Sequence, residues 1–464
     1  MVTNPMQADA EWGLATLAFK VQALQFDLNR ELRYISMKDQ VIRGRTLMIG
    51  AKEANLIGQK PFNAGNKSHV LIIGGGIGGI SAALTACELG LRATVIEPAA
   101  LCFPLLGQGS DRLFSATVYD WPHLHAGSHV FPHLQALRGL PVLMSLKNSS
   151  VLRFPNRPAT GENIRKELLA QLAKYQIDYG SSLDIRTNHR VAQMDDVAAN
   201  PVAGFVSTTF LDDLGTEVAF KSEIVIFALG FGLDSKLEQT AAGKDFFSYN
   251  GLKADLAKAA AGKQLVQIIG AGDGGLQEAL RFMFDGPYHD LHYAVTLLEK
   301  ALNGHGVGWL EFRCTLQSAE DHAAKSLMWG YSEDVIFSEL DQIYASVINE
   351  MLVNYPIAVE QWASTVIRPV PLIVELIDTH TYSKRVYPLN RFLTMLLTRL
   401  TQTPRRASLH RVNPTVATPN PDVVLSRAGF GGAVPTATVG TASEEDLLRR
   451  IAFRAIPMNL DTVV

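Results

Sequence analysis

A short apolar run that ends in a cluster of glycines constrains this chain more than any other feature: His69-Val70-Leu71-Ile72-Ile73-Gly74-Gly75-Gly76-Ile77-Gly78-Gly79. Residues 70–73 read as a parallel strand buried on both faces. Gly74, Gly76 and Gly79 fit the spacing G-x-G-x-x-G. An apolar helix over residues 80–89 follows, and a second strand, residues 93–96, ends on Glu97. In such a βαβ unit the first glycine allows a tight turn. The second lets a pyrophosphate approach the backbone, and the third lets helix and strand pack closely. The helix N-terminus offers its N–H groups and the positive end of its dipole to phosphate. Glu97 falls near the separation of about 20 residues expected of an acid that bonds a ribose hydroxyl. The unit predicts a bound dinucleotide; a glycine turn that only packs is the alternative.

A second copy lies downstream. Residues 264–269 read as a strand, and Gly270, Gly272 and Gly275 repeat the spacing. An amphipathic helix over residues 276–284 follows, and residues 292–298 read as a strand ending on Glu299. Two such units imply two nucleotide sites, or one site and one decayed copy. Asp273, inside the second glycine loop, is expected either to cap its helix or to touch a ligand.

Between the two units, residues 223–227 form an apolar strand that runs into Ala228-Leu229-Gly230. A helix over residues 162–175, a strand over residues 184–191 and a β-meander over residues 204–220 precede it. With these segments the chain resembles the superfamily of flavoproteins with two dinucleotide-binding domains, the flavin monooxygenases and pyridine-nucleotide-linked FAD oxidoreductases. There a strand ending in Ala-Thr-Gly closes the first half of the FAD domain, as Ala228-Leu229-Gly230 does here. The resemblance covers roughly residues 66–300. It implies FAD on the first turn and NAD(P)H on the second, Gly230 beside the flavin nucleotide, and Val191 against the adenine. It does not extend to a substrate. Phe284-Asp285-Gly286-Pro287-Tyr288-His289 is only faintly similar to the monooxygenase fingerprint: it follows the second glycine loop instead of preceding it.

At 464 residues, 47% of them hydrophobic, the chain is long enough for more than one domain and a large core. A formal charge of −3 makes no electrostatic case for nucleic acid or an anionic membrane surface. No apolar run of about 20 residues predicts a membrane span, and the start of the chain lacks the pattern of a signal peptide. The three cysteines, Cys87, Cys102 and Cys314, include no C-x-x-C pair. This argues for a cytoplasmic protein and against a disulfide-reductase chemistry or a zinc ribbon. No nucleophile elbow, Walker loop or H-E-x-x-H motif supports a hydrolase or NTPase.

The expected fold class is α/β: a Rossmann-like FAD domain, an inserted second Rossmann-like domain and an N-terminal helical segment. Residues 1–65 would be that segment and a linker, with a helix over residues 11–35 for packing or for a homodimer contact. Residues 66–235 together with 376–464 would form the FAD domain, the chain returning to it through a strand at residues 422–429 and a helix at 444–455. Residues 250–375 would form the NAD(P)-binding-like domain, extended by a helical region over residues 332–364 that breaks at Pro356. Residues 403–421 read as a loop.

In open α/β sheets, ligands bind beyond the carboxyl ends of the strands. The densest candidate there is residues 117–133, which hold Trp121, His123 and His125. Trp121 is expected as an apolar wall, and His123 or His125 as a proton-transfer group, since histidine titrates near neutral pH. His125, His129 and His133 have helix-face spacing, but Pro122 and Pro132 interrupt any helix and no carboxylate completes a metal set. No metal is expected. Arg112 is a candidate for pyrophosphate or a substrate acid, residues 304–309 for a loop over a nicotinamide, and residues 387–391 for part of a substrate pocket.

The reading is an FAD-dependent oxidoreductase acting on a small organic substrate, its flavin reduced by NAD(P)H and by NADH in preference because of Glu299. One alternative is a flavin oxidase or dehydrogenase of an amine or amino acid with a non-binding second loop. Another is a non-enzymatic FAD-binding redox sensor or interaction module.

Overall fold

The computed structural model describes residues 16, 19–22, 24–28, 37–58, 67–108, 111–115, 121–122, 151–155, 158–192, 198–200, 205–230, 246, 249–306, 308–328, 332–378, 386–400 and 405–427. Two short strands, β1 (Lys20–Gln22) and β2 (Gln25–Asp27), open the described chain and are followed by α1 (Met37–Glu53). The first βαβ unit is β3 (Lys67–Ile73), α2 (Ile77–Glu88) and β4 (Ala93–Glu97). Next come β5 (Leu113–Phe114), β6 (Ala159–Thr160), α3 (Gly161–Tyr179), β7 (Leu183–Thr187) and β8 (Arg190–Val191). The meander is β9 (Ala198–Asn200), β10 (Phe205–Leu211) and β11 (Glu217–Phe227).

These strands form one sheet in the order β1-β2-β11-β3-β4-β7, with β8, β9 and β10 attached through β11. β3, β4, β7, β11 and β2 run parallel. The carboxyl halves of β3 and β11, residues 70–73 and 224–227, are wholly apolar because both faces are covered there. One face carries α1 and α2, which bury Ile72, Ile80, Leu84 and Val95. The other carries the meander, where Phe210 and Phe220 pack on Leu71, Ile73 and Ile96. α1 lies close against α2: a Cβ on Gly44 would sit 2.6 Å from the Gly78 carbonyl oxygen.

The expected helix over residues 11–35 therefore gives way in part to strands. β2 adds to the edge of the sheet beside β11, with Val225 opposite Gln25 and Phe227 opposite Asp27. Phe26, flanked by Gln25 and Asp27, completes the buried edge, and all three side chains are buried.

A second sheet follows α4 (Leu252–Ala261). It starts with β12 (Leu265–Ile269) and α5 (Asp273–Met283). Four helices come next: α6 (Leu291–Gly304), α7 (Trp309–Met328), α8 (Glu333–Asn354) and α9 (Pro356–Val366). Then come β13 (Ile373–Ile377), α10 (Pro388–Leu397), β14 (Ser408–Val412) and β15 (Val423–Ser426). All four strands are parallel, in the order β14-β13-β12-β15.

Three expectations change here. Residues 292–298 are helical: Leu291, Ala294, Val295, Leu298 and Leu302 are buried at helical spacing, and the Asp290 side chain caps the N-terminus by accepting from Tyr293 N. The expected loop over residues 403–421 contains β14, whose Leu409 is buried and pairs with Val374. The expected return of the chain to the first sheet does not take place through β13, β14 or β15, which all pair in the second sheet. The remainder of that segment, residues 428–464, lies outside the described residues. The break at Pro356 is present, with Pro356 opening α9.

Candidate dinucleotide-binding sites

The first glycine turn joins β3 to α2 at the carboxyl end of the sheet. Gly74 has φ +116°, and a Cβ there would lie 2.2 Å from the Ala228 carbonyl oxygen. A Cβ on Gly79 would lie 2.0 Å from the Gly74 oxygen. Both positions are therefore closed to any side chain. Gly76 differs: a Cβ there would meet nothing within 4 Å. The second glycine thus faces open space at the N-terminus of α2, where no side chain caps the helix. This is the space a pyrophosphate requires.

Glu97 closes the turn from the end of β4. It is buried; its Oε2 accepts from Gly75 N at 2.7 Å and its Oε1 from Ala99 N at 2.8 Å. Gly230 lies beyond the end of β11 with φ +74°, and Ala228 N donates to the Ile73 carbonyl at 2.8 Å. Val191 pairs with Phe210 and packs on the cluster that includes Ile73 and Ile96. The structure therefore brings Gly74, Gly76, Gly79 and Glu97 together, with Gly230 in the turn after β11 and Val191 on β8. Cys102 lies beside Gly75, and burial pushes its thiol up to about 12, so it is held protonated.

The second turn repeats the first, group by group. Gly270 has φ +108°, a Cβ on Gly275 would lie 1.8 Å from the Gly270 oxygen, and a Cβ on Gly272 would meet nothing within 4 Å. In the first turn Gly74 N donates to the Ile96 carbonyl at 2.8 Å; in the second, Gly270 N donates to the Ile377 carbonyl at 2.9 Å. The acid is repeated as well. Asp378 follows β13, and its Oδ2 accepts from Ala271 N at 2.7 Å, as Glu97 accepts from Gly75 N.

The acid expected at Glu299 is thus corrected. Glu299 is on α6, in the interaction range of Arg313 on α7, and it does not end a strand. The strand that pairs with β12 is β13, so Asp378 holds the position that Glu97 holds in the first unit. The sequence signal is the apolar run Ile373-Val374-Glu375-Leu376-Ile377 closed by Asp378. Five helices, α5 to α9, separate it from the glycine loop, which hides it from a reading based on local spacing.

Asp273 does not cap its own helix. It opens α5, yet its Oδ1 accepts from Tyr387 N and from Asn390 Nδ2, each at 2.8 Å, at the N-terminus of α10. Burial pushes its carboxyl up to about 7, against the opposing pull of those two donors and of Arg391. Arg391 is buried and paired with Asp341 on α8. Residues 387–391 therefore do stand at the second turn.

Arg112 is neither a surface arginine nor exposed to a ligand. It is buried against Glu278 of α5 and stacks over Phe246 at 3.6 Å. Glu278 also meets Arg281 at 3.2 Å and Arg427 at 3.1 Å. Burial pushes the Glu278 carboxyl up, but the three guanidiniums more than offset it and hold it below the ordinary range. Burial in turn lowers Arg112 to about 10. Arg427 follows β15 and lies under the second turn, its Cβ 3.7 Å from where a Cβ on Gly275 would be. A further strap ties the residues on either side of β5 to the second sheet's helices: Asp111 meets Arg281 at 2.5 Å, and the Pro122 carbonyl accepts from Arg313 Nε at 2.6 Å.

Trp121 belongs to this strap. It is 2% exposed and packs 5.0 Å from the Phe392 ring, in the core of the second unit. The expected substrate-facing wall is corrected to a packing role, because the ring is buried against Phe392 of α10. His123 and His125 lie outside the described residues. The connection at residues 304–309 is tied down at both ends: His305 bonds Gln361 on α9 at 3.2 Å, and Trp309 is buried against Phe392. His289 donates Nε2 to the Arg281 and Phe284 carbonyls, a structural use. Among the described residues, no group of three or more His, Cys, Asp or Glu is placed to hold a metal ion, and no helix is long and apolar enough to cross a membrane.

No protein-family model matches the sequence, and no curated protein matches it. Solved structures do align. Cyclohexanone monooxygenase from Rhodococcus sp. Phi1, bound to NADP+, aligns over 80% of this chain and 73% of its own, at 14% identity and a TM-score of 0.38. Bacillithiol disulfide reductase from Bacillus cereus aligns over 46% of this chain and 55% of its own, at 14% identity and a TM-score of 0.26. Thioredoxin reductase from T. acidophilum aligns over 47% and 53%, at 16% identity and a TM-score of 0.25. The matched part spans about half the length of both reductases. All three scores lie below 0.5, so the fold of this chain rests on its own strand order and turn geometry.

Proposed function

We propose that this chain is an FAD-dependent oxidoreductase that acts on a small organic substrate and takes its electrons from NAD(P)H. The observation that carries the reading is the duplicated turn: two βαβ-type units, each with a first glycine at positive φ, a third glycine closed by the first one's carbonyl and an open second one. A decayed copy has no reason to keep that opening, so Gly272 favours nucleotide at the second turn over the non-binding alternative.

Gly74, Gly76 and Gly79 would hold the FAD pyrophosphate at the N-terminus of α2, with Glu97 on the ribose. Gly230 and Val191 would border the same nucleotide. Gly270, Gly272 and Gly275 would hold the nicotinamide nucleotide, with Asp378 on its ribose. A carboxylate there bonds a 2′-hydroxyl and repels a 2′-phosphate, so NADH is the preferred donor. The flavin supplies the redox chemistry when bound. The chain's part is to bind both nucleotides and set their separation, which the Glu278 cluster fixes by tying Arg112, Arg281 and Arg427 to one carboxylate. Whether the electrons pass on to oxygen, as in a monooxygenase, is set by residues beyond these two turns.

Acid precipitation of the purified protein should release FAD, and anaerobic NADH should bleach the bound flavin faster than NADPH at equal concentration. A protein that is colourless and binds no added FAD would overturn the reading.

A further inference from the structure

The end of the second unit opposite its glycine turn holds a cavity. α5 and α10 both begin at the turn, where Asp273 of α5 meets Tyr387 and Asn390, and both run toward the amino ends of the strands. At a rise of about 1.5 Å per residue, their last residues stand about 15 Å from the turn. There Met283 of α5, Leu397 of α10 and Ile367 after α9 form the apolar part of a cavity of about 410 Å³, and all three side chains are buried. That volume suits a small organic molecule better than a single ion. The polar part is basic. Arg399 follows α10, Arg406 precedes β14 and Arg411 lies on β14. Among the described residues lining the cavity, Glu360 of α9 is the single acid, so three guanidiniums face one carboxylate and leave a formal charge of +2.

Glu360 pairs with Arg406, but its side chain is 59% exposed, and an ion pair so exposed to water is readily exchanged for a ligand's charge. Arg399 gives one N–H of its fork to the Met395 carbonyl at 3.2 Å. The backbone adds donors. β14 is the outer strand of the second sheet among the described residues. Ser408 N donates to Leu372 O and the Val412 carbonyl accepts from Asp378 N, so the alternate residues Leu409 and Arg411 turn their N–H groups to the outer edge, along which the cavity runs. Guanidinium forks and N–H groups are the donors that match phosphate oxygens. A phosphate monoester carries a charge of about −1.5 to −2 at neutral pH, which balances the excess of arginine. We propose that this cavity binds a small phosphate monoester, its phosphate on Arg399, Arg406 and Arg411 and its organic group over Met283, Ile367 and Leu397. The site is separate from both glycine turns and does not depend on what they bind.

The test is titration calorimetry of the purified protein with phenyl phosphate, and with inorganic phosphate and phenol as its two halves. Phenyl phosphate should bind at a single site, and each half about tenfold more weakly or worse, because each forfeits either the apolar contact or the charge. Saturating NAD+ should not displace it. Arg399→Gln and Arg411→Gln, each checked to melt as the parent does, should weaken it by about tenfold or more, as the loss of a charge-assisted hydrogen bond requires. Hydrogen exchange on the parent locates the site without any variant: bound phenyl phosphate should slow the backbone amides of residues 407–411. Absence of saturable binding overturns the proposal. Displacement by NAD+ overturns it by placing the phosphate at a glycine turn, and inorganic phosphate that binds equally well overturns the organic class. Affinity unchanged in both variants, or exchange in β14 that does not slow, overturns the location.

Discussion

Two carboxylates, Glu97 and Asp378, do the same thing in the two halves of the molecule: each accepts from the backbone N–H of the second residue in its glycine turn. That bond fixes the side chain at the mouth of the turn, where a ribose would lie. On the proposed reading, the repetition makes Asp378 the residue on which nucleotide choice would depend. Asp378→Ser should narrow the preference for NADH over NADPH in anaerobic flavin reduction by about tenfold, since it removes the charge that repels a 2′-phosphate. An unchanged ratio of the two reduction rates would show that Asp378 does not touch the ribose. Glu97 was legible in the sequence because its strand follows the helix directly. Asp378 was not, because the chain makes five helices before the matching strand, and the apolar run before Glu299 stands at the expected separation. Asp273 was similarly opaque: its partners, Tyr387 and Asn390, are brought to it only by the fold.

At the level of elements, strongly periodic segments read correctly and ambiguous apolar runs did not. β3, α2, β4 and β12 have patterns that admit one structure. Residues 291–302 carry both a β-like run, Tyr293-Ala294-Val295-Thr296-Leu297-Leu298, and a helical stripe with an Asp290 cap; the stripe wins because one face packs on α9 and the other meets solvent. The N-terminal strands escaped notice because each is three residues long and stabilised by pairing with β11, a contact no local pattern reports. The same segment leads into α1, whose Gly44 allows backbone contact with α2 at Gly78 and Ala82. Gly44→Ala tests this packing. Helix propensity alone would favour alanine by about 1 kcal/mol, but its Cβ would lie 2.6 Å and 2.9 Å from main-chain atoms of Gly78 and Ala82. Overpacking of this kind costs about 1–3 kcal/mol. The variant should therefore unfold at a lower denaturant concentration than the parent, and a higher midpoint would mean that the two helices can separate freely.

On the scale of the whole molecule, two sheets with matching glycine turns are joined through a buried charge cluster and an aromatic strap. Arg112 comes from the segment after the first unit, Glu278 and Arg281 from α5, and Arg427 from the end of β15. The duplication itself was visible in the sequence, and so was the α/β class with parallel strands, though not the strands in the N-terminal segment. The allocation of the later strands was not, because β13 and β15 are parallel-sheet strands that would suit either sheet by composition, and only their pairing with β12 assigns them. The central claim is that the two turns hold two different nucleotides, the first the flavin and the second its reductant. A valine at the open glycine of either turn would put a branched side chain where the account places a pyrophosphate, at a position where a Cβ meets nothing within 4 Å. The most direct measurement is flavin content and anaerobic NADH reduction on Gly76→Val and Gly272→Val prepared side by side. The account predicts that Gly76→Val is isolated without FAD, while Gly272→Val keeps its full flavin and is no longer reduced by NADH. Full flavin in Gly76→Val, or unimpaired reduction of Gly272→Val, would contradict it.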